Sequence, residues 1–329
     1  MTVIGRRGIL AGFAGVLAAA PLRADFMPAY PAPTREAMVP VEGGRVYVRV
    51  NGDLAGARPP VVFIHGGPGG THGYLLEMLA LASDRAVILY DQLDSGRSDH
   101  PNDRRNWRTP RFVDELEAIR AALGVPRWHV VGHSWGGTLA LEYGARRPAA
   151  LAGLGLASPL VATKSWLADA NALIGDLPAE TATEVRRCIP LPAPQPPVCD
   201  RATTAFYATF NGRVPDGPAM TAYRRTAAGR GSNQELYQTM WGSTEFVATG
   251  TLKDYDGEPL LSRLDGRRTL FICGQYDEAR PATLEGYARR VPGAEFAVVP
   301  GGSHGFPVER PEEARALLSR WLVRQDAIA

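Results

Sequence analysis

The sequence predicts an α/β fold in which a mostly parallel sheet is covered by helices on both faces and a mostly helical cap is inserted between two strands. Three observations carry this expectation. Apolar, β-branched runs at about 45–50, 60–65, 86–90, 127–132, 151–157, 268–274 and 294–300 alternate with helix-like stretches at 111–123, 135–147, 281–291 and 310–323. Residues 158–264 break that alternation and hold amphipathic stretches at 165–177 and 234–241, which marks them as the cap. Finally, Gly132-His133-Ser134-Trp135-Gly136 stands where one of the runs passes into a helix. The first pair of runs differs from the rest. Met38-Val39-Pro40-Val41 and Arg45-Val46-Tyr47-Val48 flank Gly43-Gly44, the pattern of a hairpin at a sheet edge. With 329 residues, 45% hydrophobic and 21% charged, the chain is long and apolar enough to bury a sizeable core.

The stretch around Ser134 reads as a nucleophile elbow. Trp128-His129-Val130-Val131 precedes it and Gly137-Thr138-Leu139-Ala140 follows, so the serine sits on a sharp strand-to-helix turn. Such a turn projects the hydroxyl toward a base, provided the flanking positions are small, as Gly132 and Gly136 are. Asp277 follows the run Leu270-Phe271-Ile272-Cys273 and is expected to orient the base. The base itself is expected to be His304, in the loop after Phe296-Ala297-Val298-Val299; the other five histidines all precede Ser134. The chain order Ser, Asp, His is that of α/β-hydrolases rather than of chymotrypsin- or subtilisin-type enzymes. A fourth element, Val61-Val62-Phe63-Ile64-His65-Gly66-Gly67-Pro68-Gly69, is a strand that ends in a glycine loop. Backbone amides there approach a ligand closely, and the oxyanion donors are assigned to Gly67 and Trp135, each worth about 3 kcal/mol of barrier.

His65-Gly66-Gly67-Pro68-Gly69, the Asp91-Gln92 to Ser98 segment and the Trp-containing elbow together resemble the proline iminopeptidase family of α/β-hydrolases. The resemblance runs from about residue 40 to residue 322. Met240-Trp241-Gly242-Ser243-Thr244-Glu245-Phe246 and Thr249-Gly250-Thr251-Leu252-Lys253-Asp254 are similar to the cap and hinge of its tricorn-interacting aminopeptidase branch and amino-acid-amidase relatives. In that branch two glutamates hold the substrate's free amine, and the resemblance assigns that role here to Glu245 and Glu278. Charge-assisted bonds from carboxylates suit a protonated amine. Two stretches depart from the family pattern. Asp94 stands where a glycine is usual, and Asp tolerates left-handed backbone better than most residues. Residues 210–218, Phe210 to Pro218, lack the His- and Trp-containing version many members carry, so the resemblance does not extend to a preference for proline.

The resemblance implies a serine hydrolase that removes an N-terminal residue from a small peptide or hydrolyses an amino-acid amide through an acyl-enzyme. A carboxylesterase or lactonase would use the same machinery. A non-catalytic ligand-binding homologue is the alternative of another class, and it would not require Ser134, Asp277 and His304 together. No metal or organic cofactor is expected, because the histidines and acids lack metal-ligand spacing. In the cap, Trp166, Phe206, Tyr207, Trp241 and Phe246 are candidates either for a pocket lining or for plain core.

At the N-terminus, Gly5-Arg6-Arg7-Gly8 precedes the apolar run 9–22 and Arg23-Ala24-Asp25, the layout of a twin-arginine export signal over residues 1–24. The run is short for a bilayer-spanning helix, so cleavage after Ala24 and no stable membrane insertion are expected, with a periplasmic or secreted product. The mature regions are then 25–157 and 265–329 for the core and 158–264 for the cap. Removing 1–24 takes Arg6, Arg7 and Arg23 and no acid, leaving 33 basic against 34 acidic residues, a net charge of −1. That balance offers no basic face for nucleic acid. In an oxidising compartment Cys188 and Cys199 are expected to pair within the cap, although five of the ten residues between them are proline and a straight polyproline run would span roughly 30 Å. Cys273 lies in a predicted buried strand and reads as packing. Nothing in the sequence fixes the oligomeric state.

Overall fold

A computed structural model describes residues 29–191, 196–226 and 231–328; the expected export signal lies outside them. Eight strands form one sheet: β1 (Arg35–Val41), β2 (Gly44–Asn51), β3 (Val61–Ile64), β4 (Val87–Tyr90), β5 (Trp128–His133), β6 (Leu151–Ala157), β7 (Thr269–Gly274) and β8 (Glu295–Val299). Their order is β1-β2-β4-β3-β5-β6-β7-β8. The β1–β2 hairpin sits at the edge, β2 meets β4 antiparallel, and every pairing from β4 onward is parallel.

The central strands are apolar on both faces because both faces are covered. Every residue of β3, β4, β5 and β7 is buried. On β3, Val62 and Ile64 pack into one core with α1 (Thr109–Leu123), α2 (Trp135–Ala145) and α8 (Pro281–Arg289). Val61 and Phe63 point to the other face, packing with the 3₁₀ segment His72–Ser83, α9 (Phe306–Glu309) and α10 (Pro311–Asp326). The period-2 alternation of strand side chains is thus divided between two apolar layers rather than between core and water.

Among the described residues five α-helices fall between β6 and β7: α3 (Thr163–Gly175), α4 (Ala179–Cys188), α5 (Pro197–Phe210), α6 (Pro218–Arg224) and α7 (Gln234–Met240). They have a small core of their own, in which Leu173, Ile174, Val185, Phe206, Phe210 and Phe246 meet. A disulfide joins Cys188, at the end of α4, to Cys199, in the first turns of α5. Cys273 is free and buried in β7. Among the described residues no helix is long and apolar enough to cross a membrane.

Asp94 shows how the chain does without the usual glycine. Its backbone is left-handed, with φ 65°. Its fully buried carboxylate accepts the Asn102 backbone N–H at 2.7 Å and the Trp107 indole N–H at 2.8 Å. An Asp side chain offsets the backbone cost with two charge-assisted bonds that a glycine could not make. Asp94→Ala and Asp94→Gly both lose these bonds, but only alanine keeps the backbone penalty. Alanine should therefore destabilise the fold by about 1 kcal/mol more than glycine, measured by urea unfolding.

Candidate active site

Ser134 follows β5 directly and stands at the N-cap position of α2 with φ 59° and ψ −124°, a strained conformation for a residue with a side chain. Its neighbours explain how the turn closes. A Cβ on Gly136 would lie 2.2 Å from the Ile64 carbonyl oxygen, and one on Gly132 would lie 2.0 Å from that of Gly136. Within 128–141 every residue is buried except Ser134, so the turn exposes one side chain. The N-terminus of α2 lies directly beneath it, with no acid in its first turn to cancel the positive end of the helix dipole.

The glycine loop is held from several sides. Gly67 has φ 127°, and a Cβ there would come within 2.5 Å of the Gly70 nitrogen, so only glycine fits. Trp135 donates its indole N–H to Gln92 Oε1 at 2.9 Å, and Gln92 in turn donates its side-chain amide to the His65 carbonyl at 2.9 Å. The Gln92 backbone N–H donates to His65 Nε2 at 3.1 Å, which leaves the ring proton on Nδ1, 2.8 Å from the Gly66 carbonyl. His65 thereby holds the Gly66–Gly67 peptide plane, the plane that carries the Gly67 N–H. Burial pushes the His65 imidazole down to about 4, against the pull of Asp91, so it stays neutral in this role.

His304 lies in the loop between β8 and α9, and its Nδ1 is 2.9 Å from Asp277 Oδ1. Asp277 is fixed by three donors: Ser158 Oγ at 2.5 Å, the Gly274 N–H at 2.9 Å and the Ala279 N–H at 2.9 Å. With Nδ1–H committed to the carboxylate, Nε2 is the basic atom. The His304 ring packs against His133, with centroids 4.7 Å apart, and edge-on to Trp166 at 5.6 Å. Ser134, Gly66, Gly67, His304 and Glu245 line one cavity of about 650 Å³. No hydrogen bond joins Ser134 to His304 in this state; such contacts are often long in free enzymes and tighten on substrate.

Two more carboxylates stand beside the imidazole. Glu278 is 2% exposed, and its Oε1 is 3.6 Å from His304 Nε2, too long for a hydrogen bond. Asn211 donates to Oε1 at 2.7 Å, while Oε2 has no hydrogen-bond partner among the described residues. Glu245 comes from the cap and is held by the Tyr237 hydroxyl at 2.6 Å, with its own N–H donated to Tyr207 Oη at 3.1 Å. Burial raises both carboxyls. Glu278 is pushed well above the usual range, with repulsion from Glu245 and Asp277 added and His304 acting against it. Burial by itself would lower His304, but Glu278, then Asp277 and Glu245, outweigh it and push the imidazole up to about 9.

The cap is fastened to this loop by backbone bonds. The His304 N–H donates to the Phe210 carbonyl at 3.0 Å and the Gly305 N–H to that of Asn211 at 2.7 Å. Glu309, buried on α9, accepts from Ser303 N–H at 2.7 Å, from the Ser303 hydroxyl, and from the Arg213 and Val214 amides. All seven residues singled out in the sequence therefore converge on one region. Ser158, Asn211, Tyr237 and Glu309 were not assigned a role from the sequence, because each acts through a tertiary contact and carries no motif; Tyr207 stood there only as a candidate cap aromatic. The candidate cap aromatics lie elsewhere than the cavity wall: Phe206 and Phe246 fill the cap core, and Trp166 and Trp241 join the main one. Among the described residues no group of three His, Cys, Asp or Glu is placed to hold a metal ion.

Sheet order, elbow and acid–base pair define an α/β-hydrolase, and a family model described as the alpha/beta hydrolase fold matches residues 59–311. The chain is 35% identical to a proline iminopeptidase of Heyndrickxia coagulans, over 87% of this chain and 98% of that one. A proline iminopeptidase of Levilactobacillus brevis is 31% identical over 89% of this chain and 98% of its own length. Among solved structures, proline iminopeptidase of Mycobacterium smegmatis superposes with a TM-score of 0.78 at 33% identity, covering 89% and 99% of the two chains. VinJ does so with a TM-score of 0.80 at 33% identity, covering 88% and 99%. The chain belongs to the proline iminopeptidase family of α/β-hydrolases.

Replacing Glu278 by Gln removes the largest influence that raises His304. The imidazole midpoint, followed by NMR, should fall from about 9 in Glu278→Gln; an unchanged midpoint would contradict the charge arrangement described.

Proposed function

We propose that this enzyme is a serine aminopeptidase that releases one N-terminal residue from a short peptide or hydrolyses an amino-acid amide. The observation that carries the reading is Glu278 Oε2, a buried carboxylate oxygen without a partner, beside a second carboxylate and the base. Burial drives such a carboxyl toward its neutral form, and a cation that meets it restores the charge. A substrate ammonium is such a cation.

The spacing limits which amine fits. In an aminoacyl group the α-nitrogen lies about 2.5 Å from the carbonyl carbon. Glu278 lies 3.6 Å from His304 Nε2, so an ammonium at the glutamates puts the first carbonyl of the chain beside the base. Ser134 Oγ attacks that carbonyl as His304 Nε2 takes its proton, with Asp277 holding the ring. The oxyanion is met by the Gly67 and Trp135 amides and by the dipole of α2. His304 then gives its proton to the departing amine, and a water molecule, activated by the same imidazole, releases the amino acid from Ser134. The relatives' name makes proline the first residue to test in the acyl position.

Free-amine aminoacyl chromogenic amides should be cleaved, and their N-acetylated forms at least about a hundredfold less well. Glu245→Gln and Glu278→Gln should each lower kcat/KM on the free-amine substrates by about tenfold or more without a comparable loss on a short acyl ester. Equal losses on amide and ester would overturn the amine assignment.

Export through the twin-arginine route is proposed from residues 1–24, and the Cys188–Cys199 disulfide supports an oxidising destination. The exported protein should begin at Asp25, read by intact mass and N-terminal sequencing; a full-length product retained in the cytoplasm would refute this.

A further inference from the structure

Tyr74 lies on the 3₁₀ segment that follows the glycine loop, between that loop and the elbow. Its hydroxyl oxygen accepts the Gly66 N–H at 2.8 Å and lies 2.9 Å from His133 Nδ1. The other ring nitrogen, His133 Nε2, lies 2.9 Å from the backbone carbonyl of His304. A carbonyl can only accept, so Nε2 carries the ring proton and Nδ1 of the neutral ring is an acceptor. The Tyr74 hydroxyl must then donate to Nδ1. Each proton in the sequence Gly66 N–H to Tyr74, Tyr74 O–H to His133, and His133 N–H to His304 has one position.

The chain joins two parts that must be registered against each other. At one end is Gly66, whose carbonyl is already held by His65, so that with Tyr74 on its N–H both peptide planes around it are fixed. At the other end is the backbone of His304 itself. His133 is 6% exposed, packed edge-on to Tyr74 at 5.3 Å and to Phe306 at 5.8 Å, while Tyr74 is half-buried and both line the wall of the cavity. The charged groups facing it are His304 and, beyond it, Asp277. Burial, with His304 adding to it, pushes His133 down to about 3, which keeps the ring neutral and able to accept from Tyr74.

We propose that Tyr74 and His133 are positioning residues that set the oxyanion loop and the general base at a fixed separation through this hydrogen-bonded chain. Neither is assigned a proton-transfer step. The proposal is independent of the amine reading, because it concerns machinery that an ester without an amine would also use.

Tyr74→Phe keeps the ring and removes the link. On a short acyl ester its kcat should fall by about tenfold or more, with KM within about twofold of wild type, since misplacement of about 1 Å can cost far more than its binding effect. A hydroxyl that merely stabilised the fold would lower the melting temperature and leave kcat alone. In the wild-type enzyme, ¹⁵N NMR of the imidazoles should show His133 neutral and protonated at Nε2 from about pH 5 to about pH 8, a range in which an unperturbed histidine titrates. A folded Tyr74→Phe enzyme with kcat within about twofold of wild type would overturn the proposal. So would a His133 that titrates in that range or carries its proton on Nδ1, and this second test stands even if the variant does not fold.

Discussion

Three carboxyl groups, Asp277, Glu278 and Glu245, crowd one imidazole, and the rest of the site is arranged around that imbalance. Asp277 is satisfied by Ser158 and two backbone amides in addition to His304. Glu278 and Glu245 are not balanced in the same way: their firm partners are Asn211 and Tyr237, neutral groups that orient a carboxylate without cancelling its charge. His304 carries the deficit, which is why its imidazole is raised rather than lowered by a buried location. A raised imidazole is a poor base at neutral pH. An incoming ammonium would take over the role of counter-charge and return His304 to its neutral, basic form, so that the base is readied by the substrate it acts on.

This arrangement gives the cap a reason to be joined so closely to the core. Glu245, Asn211, Tyr207 and Tyr237 come from the insertion, whereas Ser134, Asp277, Glu278 and His304 come from the ends of β5, β7 and β8. A site divided in this way fails if the two parts drift. The Phe210, Asn211, Arg213 and Val214 backbone groups are therefore bonded to the His304 loop and to Glu309. The departure from the family pattern at 210–218 falls on these residues. In this chain the stretch acts through its main chain and through Asn211, which holds Glu278.

Features with a local physical cause were legible in the sequence. The elbow required small residues at Gly132 and Gly136, the parallel strands required unbroken apolar runs, and Asp277 and His304 had to follow strands in the chain order of the fold. Glu245 was different: nothing in its neighbourhood marks it as more than a surface acid, and only the resemblance singled it out, whereas Glu278 directly follows Asp277 and so had a place near the base, though its role too came from the resemblance. Ser158 and Asn211 left no trace, because a hydrogen bond across 119 or 67 residues has no periodicity. The cap aromatics stayed open between pocket and core for a related reason. Burial of Phe206 or Trp166 is visible from composition, but whether a buried ring faces a cavity or a helix is decided by packing.

The claim that the cluster awaits a cation is tested most directly by calorimetry on Ser134→Ala, which binds without turning over. An amino-acid amide is titrated at about pH 6.5, where its amine is already charged, in buffers of different ionisation enthalpy. The account predicts net proton release on binding, as the ammonium lowers His304 together with the raised carboxyls of Glu278 and Glu245, and no release with the N-acetylated ligand. Binding that is proton-neutral, or that releases protons equally for both ligands, would contradict it.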